Sequence, residues 1–163
     1  MLLGRLSHHS TCNNALQKKN SLIEMSGYMP KSKNDKWATP KELYNEWDKE
    51  FNFNYDPCPI TWKEGDADGL TADWGTSTFC NPPYSETAKW IEKAHTEWKK
   101  GKKVVMLINA ITDTKAFHKY IYNQATIRFL QGRIKFVDYS DPANPKVKAP
   151  NVKASMLVIF TSS

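Results

Sequence analysis

The sequence predicts an α/β domain, a mostly parallel sheet with an antiparallel edge strand and helices on both faces. Three observations carry this. From Trp37 onward, segments of strand periodicity alternate with segments of helical spacing, the rhythm of βαβ units. The longest apolar run, Val104-Val105-Met106-Leu107-Ile108, has the length of a buried strand and falls well short of the roughly 20 residues of a membrane span. Finally, strand-like segments at 126–130, 133–137 and 154–160 crowd together near the end, which points to an antiparallel edge.

The elements follow in order. Thr39 offers an N-cap, Pro40 the first helical position and Glu42 the partner of a capping box. Leu43, Tyr44 and Trp47 fall at helical spacing behind them, so residues 40–50 are expected to be helical. Residues 51–55 alternate as a strand does until Asp56-Pro57-Cys58-Pro59 stops them. Residues 60–76 are a loop rich in Gly and Asp, and Thr78-Phe79-Cys80 is a short strand. Ser85 caps a helix to about Lys100, with Ala88, Ile91, Ala94 and Trp98 on one side and Gly101 ending it. Residues 103–108 are the best strand, 113–123 a helix carrying Phe117, Tyr120 and Ile121, and 138–153 a loop containing Pro and Lys.

Composition bounds the function. With 163 residues, 40% hydrophobic and 25% charged, the chain has the size and make-up of one soluble domain. Residues 1–36 lack periodicity and read as a poorly ordered N-terminal arm, with Met25 and Met29 as alternative starts; residues 37–163 form the domain. The net charge of +6 and pI of about 9.1 fit a polyanionic partner and, equally, general solubility. Cys12, Cys58 and Cys80 are too few and too scattered for a disulfide framework or a zinc site, so reduced thiols in a cytoplasmic compartment are expected. The apolar start Met1-Leu2-Leu3 is too short for a secretion signal.

Chemistry concentrates at Asn81-Pro82-Pro83-Tyr84, just after a strand, where α/β sheets bind ligands. Two prolines remove two backbone donors and fix two φ angles, and Pro82 holds Asn81 extended. The Asn81 side-chain oxygen and the Pro82 carbonyl can then face a ligand as two rigid acceptors. An exocyclic amine has two hydrogens to give them, and accepting both frees the nitrogen lone pair for attack on a methyl sulfonium. Tyr84 offers a face on which a flipped base stacks. The plainer reading is a rigid turn leading into the helix capped by Ser85.

The chain resembles the phage-type DNA N-6-adenine methyltransferases, relatives of Dam. The resemblance rests on Trp37-Ala38-Thr39-Pro40, Tyr55-Asp56-Pro57-Cys58, Asp68-Gly69-Leu70-Thr71-Ala72-Asp73-Trp74, Cys80-Asn81-Pro82-Pro83-Tyr84-Ser85, Val104-Val105-Met106-Leu107, the segment from Phe129 to Phe136 and that from Ser155 to Phe160. These occur in the family's order and span nearly everything from Trp37 on. The resemblance implies a Rossmann-like class I methyltransferase sheet, S-adenosylmethionine as cofactor, adenine N6 in DNA as acceptor, and the host cytoplasm as its place if phage-encoded.

It also implies roles. Asn81, Pro82, Pro83 and Tyr84 form the catalytic strip. Trp37, Thr39 and Pro40 line the methionine end of the cofactor, and Asp56-Pro57 passes beneath it with Asp56 meeting its ammonium group; Asn81 borders the same site. One of Asp68 and Asp73 accepts from the cofactor's adenine amine or ribose hydroxyls; a solvated acidic loop is the alternative. The chain departs from the common methyltransferase pattern in having Cys58-Pro59-Ile60-Thr61, without glycine, after Asp56. Ser85, Arg133, Lys135, Lys146 and Lys148, with Arg128 and Lys153, are the candidates on the DNA side, Arg133 and Lys135 sharing a face because they are two apart. No metal site is expected. RNA methylation, methylation of a protein glutamine amide and a DNA-binding remnant without activity stand as alternatives. Monomer and dimer remain equally open.

Overall fold

The computed structural model describes residues 37–161 apart from Trp62, Tyr139, Ser140, Pro142 and Ala149. Contacts divide the chain between Ser32 and Lys33, and the described residues all belong to the second unit. The expectations for the arm at 1–36, including Cys12, lie outside the described residues.

The strands are β1 (Trp37–Ala38), β2 (Ser77–Cys80), β3 (Lys103–Asn109), β4 (Thr126–Phe129), β5 (Val137–Asp138), β6 (Lys146–Val147) and β7 (Ser155–Phe160); the helices are α1 (Lys41–Phe51) and α2 (Thr87–Lys99). The main sheet is mixed, in the order β2-β3-β7-β4. β2 and β3 are parallel, and β7 runs against both β3 and β4. Beyond β2, Tyr55 bridges Thr78 in parallel. Tyr55, β2, β3 and β4 therefore point one way and β7 the other.

The reversed strand is thus not at the edge, which corrects the sequence expectation. All six residues of β7 are buried, as a strand needs neighbours along both sides and layers over both faces to achieve. The edge is β4, whose Thr126, Arg128 and Phe129 are exposed.

Alternation along the strands builds two cores. Phe79, Val105, Leu107, Leu157 and Ile159 face Trp47 and Phe51 of α1, while Cys80, Val104, Met106, Ile108, Met156, Val158 and Phe160 face Trp90, Ile91 and Ala94 of α2. Cross-strand partners share a face: Val105 opposes Ile159 and Leu107 opposes Leu157 on one side, Met106 opposes Val158 on the other.

Several local expectations change. The N-cap of α1 is Pro40, with no side-chain cap, because the Thr39 hydroxyl is drawn to Asn81 instead. Asn52, left-handed at φ 51°, ends α1, and its N–H reaches Asp48 O at 2.8 Å. Ser85 is not the cap of α2: it sits in a 3₁₀ turn, Tyr84–Glu86, and the helix begins at Thr87. The strand expected at 51–55 reduces to the Tyr55 bridge, since Phe51 is claimed by α1. The helix at 113–123 contracts to a short stretch containing a π-helical turn, Phe117–Ile121, which buries both of its end residues.

Residues 133–136 are extended but mostly unladdered. Ile134 and Phe136 point inward while Arg133 and Lys135 are exposed together, as their spacing predicts. The chain returns alongside, with Lys148 N–H to Phe136 O at 3.0 Å and Asn151 N–H to Ile134 O at 2.9 Å. A small antiparallel sheet, β1-β5-β6, joins this hairpin to Trp37 and Ala38. Among the described residues no helix is long and apolar enough to cross a membrane.

Candidate active site

The carboxyl ends of the chain at Tyr55, of β2 and of β3 lie side by side, and each passes into a polar residue: Asp56, Asn81 and Asn109. This is the edge where open α/β sheets bind ligands.

Two adjoining concavities open there. One, of about 340 Å³, is lined by Pro57, Ile60, Asp68, Gly69, Glu86 and Trp90, among others. The other, of about 250 Å³, is lined by Thr39, Lys41, Tyr44, Asp56 and Phe79, among others. Trp37, Cys58, Ile60 and Asn81 border both, so together they form one cleft with Asn81 at its waist.

Asn81 is held by its amide nitrogen, which donates to Trp37 O at 3.0 Å and to Thr39 Oγ1 at 3.3 Å. A carbonyl can only accept, so the Trp37 contact fixes which way the amide points. Both hydrogens of Nδ2 are engaged, and Oδ1 is the atom left to meet a ligand. Strand β1 thus serves the site by orienting Asn81, and β5 holds β1 in place through the Trp37–Asp138 pairing.

Asp56 stands at the second concavity. Its carboxylate accepts from Cys58 N–H at 2.8 Å. Solvent reaches the side chain through the open mouth, yet the surrounding protein withholds enough water that burial pushes its pKa up to about 6 against the pull of that bond. No cation pairs with the carboxyl among the described residues, so it suits a cationic group. On the first concavity, Pro57, Ile60 and the Trp90 ring give apolar walls and Asp68 a polar edge, an arrangement suited to a flat ring with hydrogen-bonding substituents. The Trp90 indole N–H is buried without a partner among the described residues. Gly69 is buried against the cleft: a Cβ there would lie 2.2 Å from Pro57 O and 2.8 Å from the Trp90 ring.

Tyr84 lies on the other side of the strip. Its ring meets Phe136 edge-on, centroids 6.2 Å apart at 76°, and its hydroxyl accepts from Asn151 Nδ2 at 3.4 Å. Burial pushes its phenol pKa well up, so it is neutral at any working pH. It borders a third concavity of about 240 Å³, with Asn109, Thr114 and Lys153.

Of the residues singled out in the sequence, Trp37, Thr39, Asp56, Pro57, Asp68, Asn81 and Pro83 line the cleft. Pro82 is buried beneath it, and Pro40 serves as the helix cap. Asp73 is elsewhere: Lys100 and Lys102 reach it at 3.1 and 2.7 Å and hold its carboxyl below the ordinary value. Arg133, Lys135 and Lys146 are exposed. Lys148 pairs with Asp138 at 2.9 Å and lies over the Trp37 ring, and Arg128 forms a two-pronged pair with Glu50. Ser85 is exposed in its 3₁₀ turn next to Tyr84. The sequence reading missed Gly69, Trp90, Asn109 and Asn151. Gly69 alone had a signal, its place in the stretch that begins at Asp68; the others are ordinary helix, strand-end and loop residues brought in by the fold.

The model of the family described as DNA N-6-adenine-methyltransferase (Dam) matches residues 26–163. A curated DNA N-6-adenine-methyltransferase of Haemophilus phage HP1 (strain HP1c1) is 31% identical over 142 residues, covering 80% of each chain. No solved structure matches.

Proposed function

The chain belongs to the DNA N-6-adenine-methyltransferase (Dam) family, and from that premise we propose how its own residues divide the work of methyl transfer. The protein is an adenine-specific DNA methyltransferase that uses S-adenosylmethionine and acts on DNA. Parallel strands around one reversed strand, with a helix on each face, support a Rossmann-like class I methyltransferase fold. Residues 37–163 are its single catalytic domain, and the cytoplasm, the host's if the chain is phage-encoded, is where it works.

The cleft fits S-adenosylmethionine. The undercompensated Asp56 carboxyl suits the methionine ammonium group, with Thr39 and Trp37 at the same end. The apolar slot between Ile60 and Trp90 suits the adenine ring, with Asp68 accepting from the ring amine or the ribose hydroxyls. Asp68 rather than Asp73 takes this part, because Asp73 is already bonded to two lysines. When bound, S-adenosylmethionine supplies a methyl group on an electrophilic sulfonium.

The chain supplies the rest. Asn81 Oδ1 and the Pro82 carbonyl accept the two hydrogens of the target amine, which tilts the nitrogen toward tetrahedral geometry and exposes its lone pair to the methyl carbon. Once the methyl group is on nitrogen the surplus proton passes to water, so no strong base is required. Tyr84, neutral and held by Phe136, stacks on the flipped adenine. Arg133, Lys135 and Lys146 take phosphates, while Lys148 braces the Trp37 end of the site through Asp138. Ser85, exposed next to Tyr84, meets the DNA backbone beside the flipped nucleotide.

One observation carries this reading: the Trp37 carbonyl ties up Asn81 Nδ2, so the oxygen, the atom the chemistry needs, is the one left available. The test is substitution. Asn81→Ala and Tyr84→Ala are each expected to abolish transfer while the fold, followed by circular dichroism, is kept; undiminished turnover in both would remove the strip from the reaction. The family assignment sets aside RNA and glutamine amides as acceptors, and the unbroken set at Asp56, Asp68, Asn81 and Tyr84 argues against a remnant without activity.

A further inference from the structure

Asn151 belongs to neither the catalytic strip nor the cofactor cleft, and the sequence gives it no role, although lysines of the same loop are candidates on the DNA side. Its side chain nevertheless makes more specific contacts than most of the site. Nδ2 donates to Asn109 Oδ1 at 2.9 Å and to the Tyr84 hydroxyl at 3.4 Å, using both of its hydrogens. Oδ1 accepts from Lys153 N–H at 3.3 Å, and the backbone N–H of Asn151 donates to Ile134 O at 2.9 Å.

These bonds connect three parts of the molecule. Asn109 is the last residue of β3, fixed to the central sheet through its pairing with Ser155. Ile134 belongs to the extended segment that also carries Phe136, Arg133 and Lys135. Tyr84 ends the catalytic strip. The Tyr84 ring is therefore held at two points, its edge by Phe136 and its hydroxyl by Asn151, and both supports belong to one hairpin, which Lys148 N–H to Phe136 O closes at 3.0 Å. A stacking platform works only if its plane is set before the base arrives, since an orientation lost in the free enzyme must be recovered at the transition state.

We infer that Asn151 is a positioning residue for methyl transfer, which fixes the plane of Tyr84 by bridging its hydroxyl to Asn109 and to the basic hairpin. It touches neither donor nor acceptor and acts through Tyr84 alone. The inference rests on the reading of Tyr84 as the platform for the flipped adenine.

The test is a double-mutant cycle read in steady-state kinetics on duplex DNA. Asn151→Ala is expected to lower kcat about tenfold, with KM for DNA and Kd for S-adenosylmethionine changed by no more than about twofold. Tyr84→Phe, which keeps the ring and removes the hydroxyl, is expected to lose about as much, and the double variant no more than either single one, because all three break the same link. If Asn151→Ala does not fold, the cycle is run with Asn151→Ser, which keeps a polar group in the loop but cannot span to Tyr84. Losses that multiply, an unchanged kcat, or a raised KM at constant kcat would each overturn the inference, the last by making Asn151 a DNA contact. Tyr84→Ala separates the two levels. Full turnover there removes the platform reading and this inference with it, whereas an inactive Tyr84→Ala beside multiplying losses in the cycle removes this inference alone.

Discussion

Asp56 turns one carboxyl group into a measurable pH dependence. Burial raises its pKa to about 6, so the free protein carries a protonated Asp56 below that pH and a carboxylate above it. In the proposed reading the cofactor's ammonium group binds the carboxylate form, and protons therefore compete with it. Affinity for S-adenosylmethionine is expected to be full well above pH 6 and to fall about tenfold between about pH 7.5 and about pH 5, which calorimetry at several pH values measures. Asp56→Asn is expected to bind weakly throughout and to flatten that dependence; an unchanged profile would take Asp56 out of the site. Gly69 gives a steric counterpart. An added methyl group meets Pro57 O at 2.2 Å, and backbone cannot easily give way, so Gly69→Ala is expected to lose about 1–3 kcal/mol of stability in denaturant titrations and to weaken cofactor binding. At this scale the sequence was informative wherever chemistry dictates residue type. Asn81 could be picked out because a rigid acceptor at a strand end is an unusual thing to place there, whereas the parts given to Asp56 and Thr39 came from the family resemblance. The helix cap expected of Thr39 does not form, since nothing local distinguishes a hydroxyl that caps a helix from one that binds a side chain 42 positions away. Asp68 and Asp73 could not be told apart for the same reason: Lys100 and Lys102 come from the far end of α2.

That end of α2 is where an element depends on electrostatics. Glu97 is fully buried. Burial opposes its charge, but hydrogen bonds from Lys100, Lys102, Lys93 and the Trp74 N–H overcome that and hold its carboxyl well below the ordinary value of 4.5. These bonds clamp the loop that ends at Trp74 onto α2, and Trp74 stacks on Trp90, which walls the cleft proposed for the cofactor. Glu97→Ala is expected to lose about 2 kcal/mol, less than the roughly 3–5 typical of a dismantled buried pair because half-exposed Lys100 can turn to solvent. Because its pKa is lower folded than unfolded, the contribution of Glu97 is present in full above about pH 4.5 and drains away as the pH falls further. Denaturation at neutral and at acid pH should therefore find the variant and the parent converging in acid. The longer elements were legible. Leu43, Tyr44 and Trp47 marked α1, the apolar run marked β3, and Gly101, at φ 91°, marked the end of α2. The order of the strands was not, because β4, which follows β3 in the chain, pairs with the last strand, β7, and not with β3. Even so, the unbroken apolar run of β7 beside the alternating Thr126-Ile127-Arg128-Phe129 was a usable sign of which strand is central.

For the molecule as a whole, the net charge of +6 acts through where the cations are and whether they are already paired. Arg128 is bound to Glu50, while Arg133 and Lys135 project from the hairpin that braces Tyr84. Arg133→Ala and Lys135→Ala are each expected to reduce the salt dependence of DNA binding by about one unit of slope, and Arg128→Ala to leave it nearly unchanged. Equal effects at all three positions would mean that the DNA path does not follow the hairpin. The central claim is that a rigid strip with Asn81 Oδ1 turned outward passes a methyl group to adenine N6. Its most direct test is transfer of labelled methyl from S-adenosylmethionine to unmethylated duplex DNA, with nucleoside analysis of the product, for the parent and for Asn81→Ala. The account predicts label in N6-methyladenine for the parent and at least about a hundredfold less for the variant. Label on cytosine, or undiminished adenine methylation by Asn81→Ala, would contradict it.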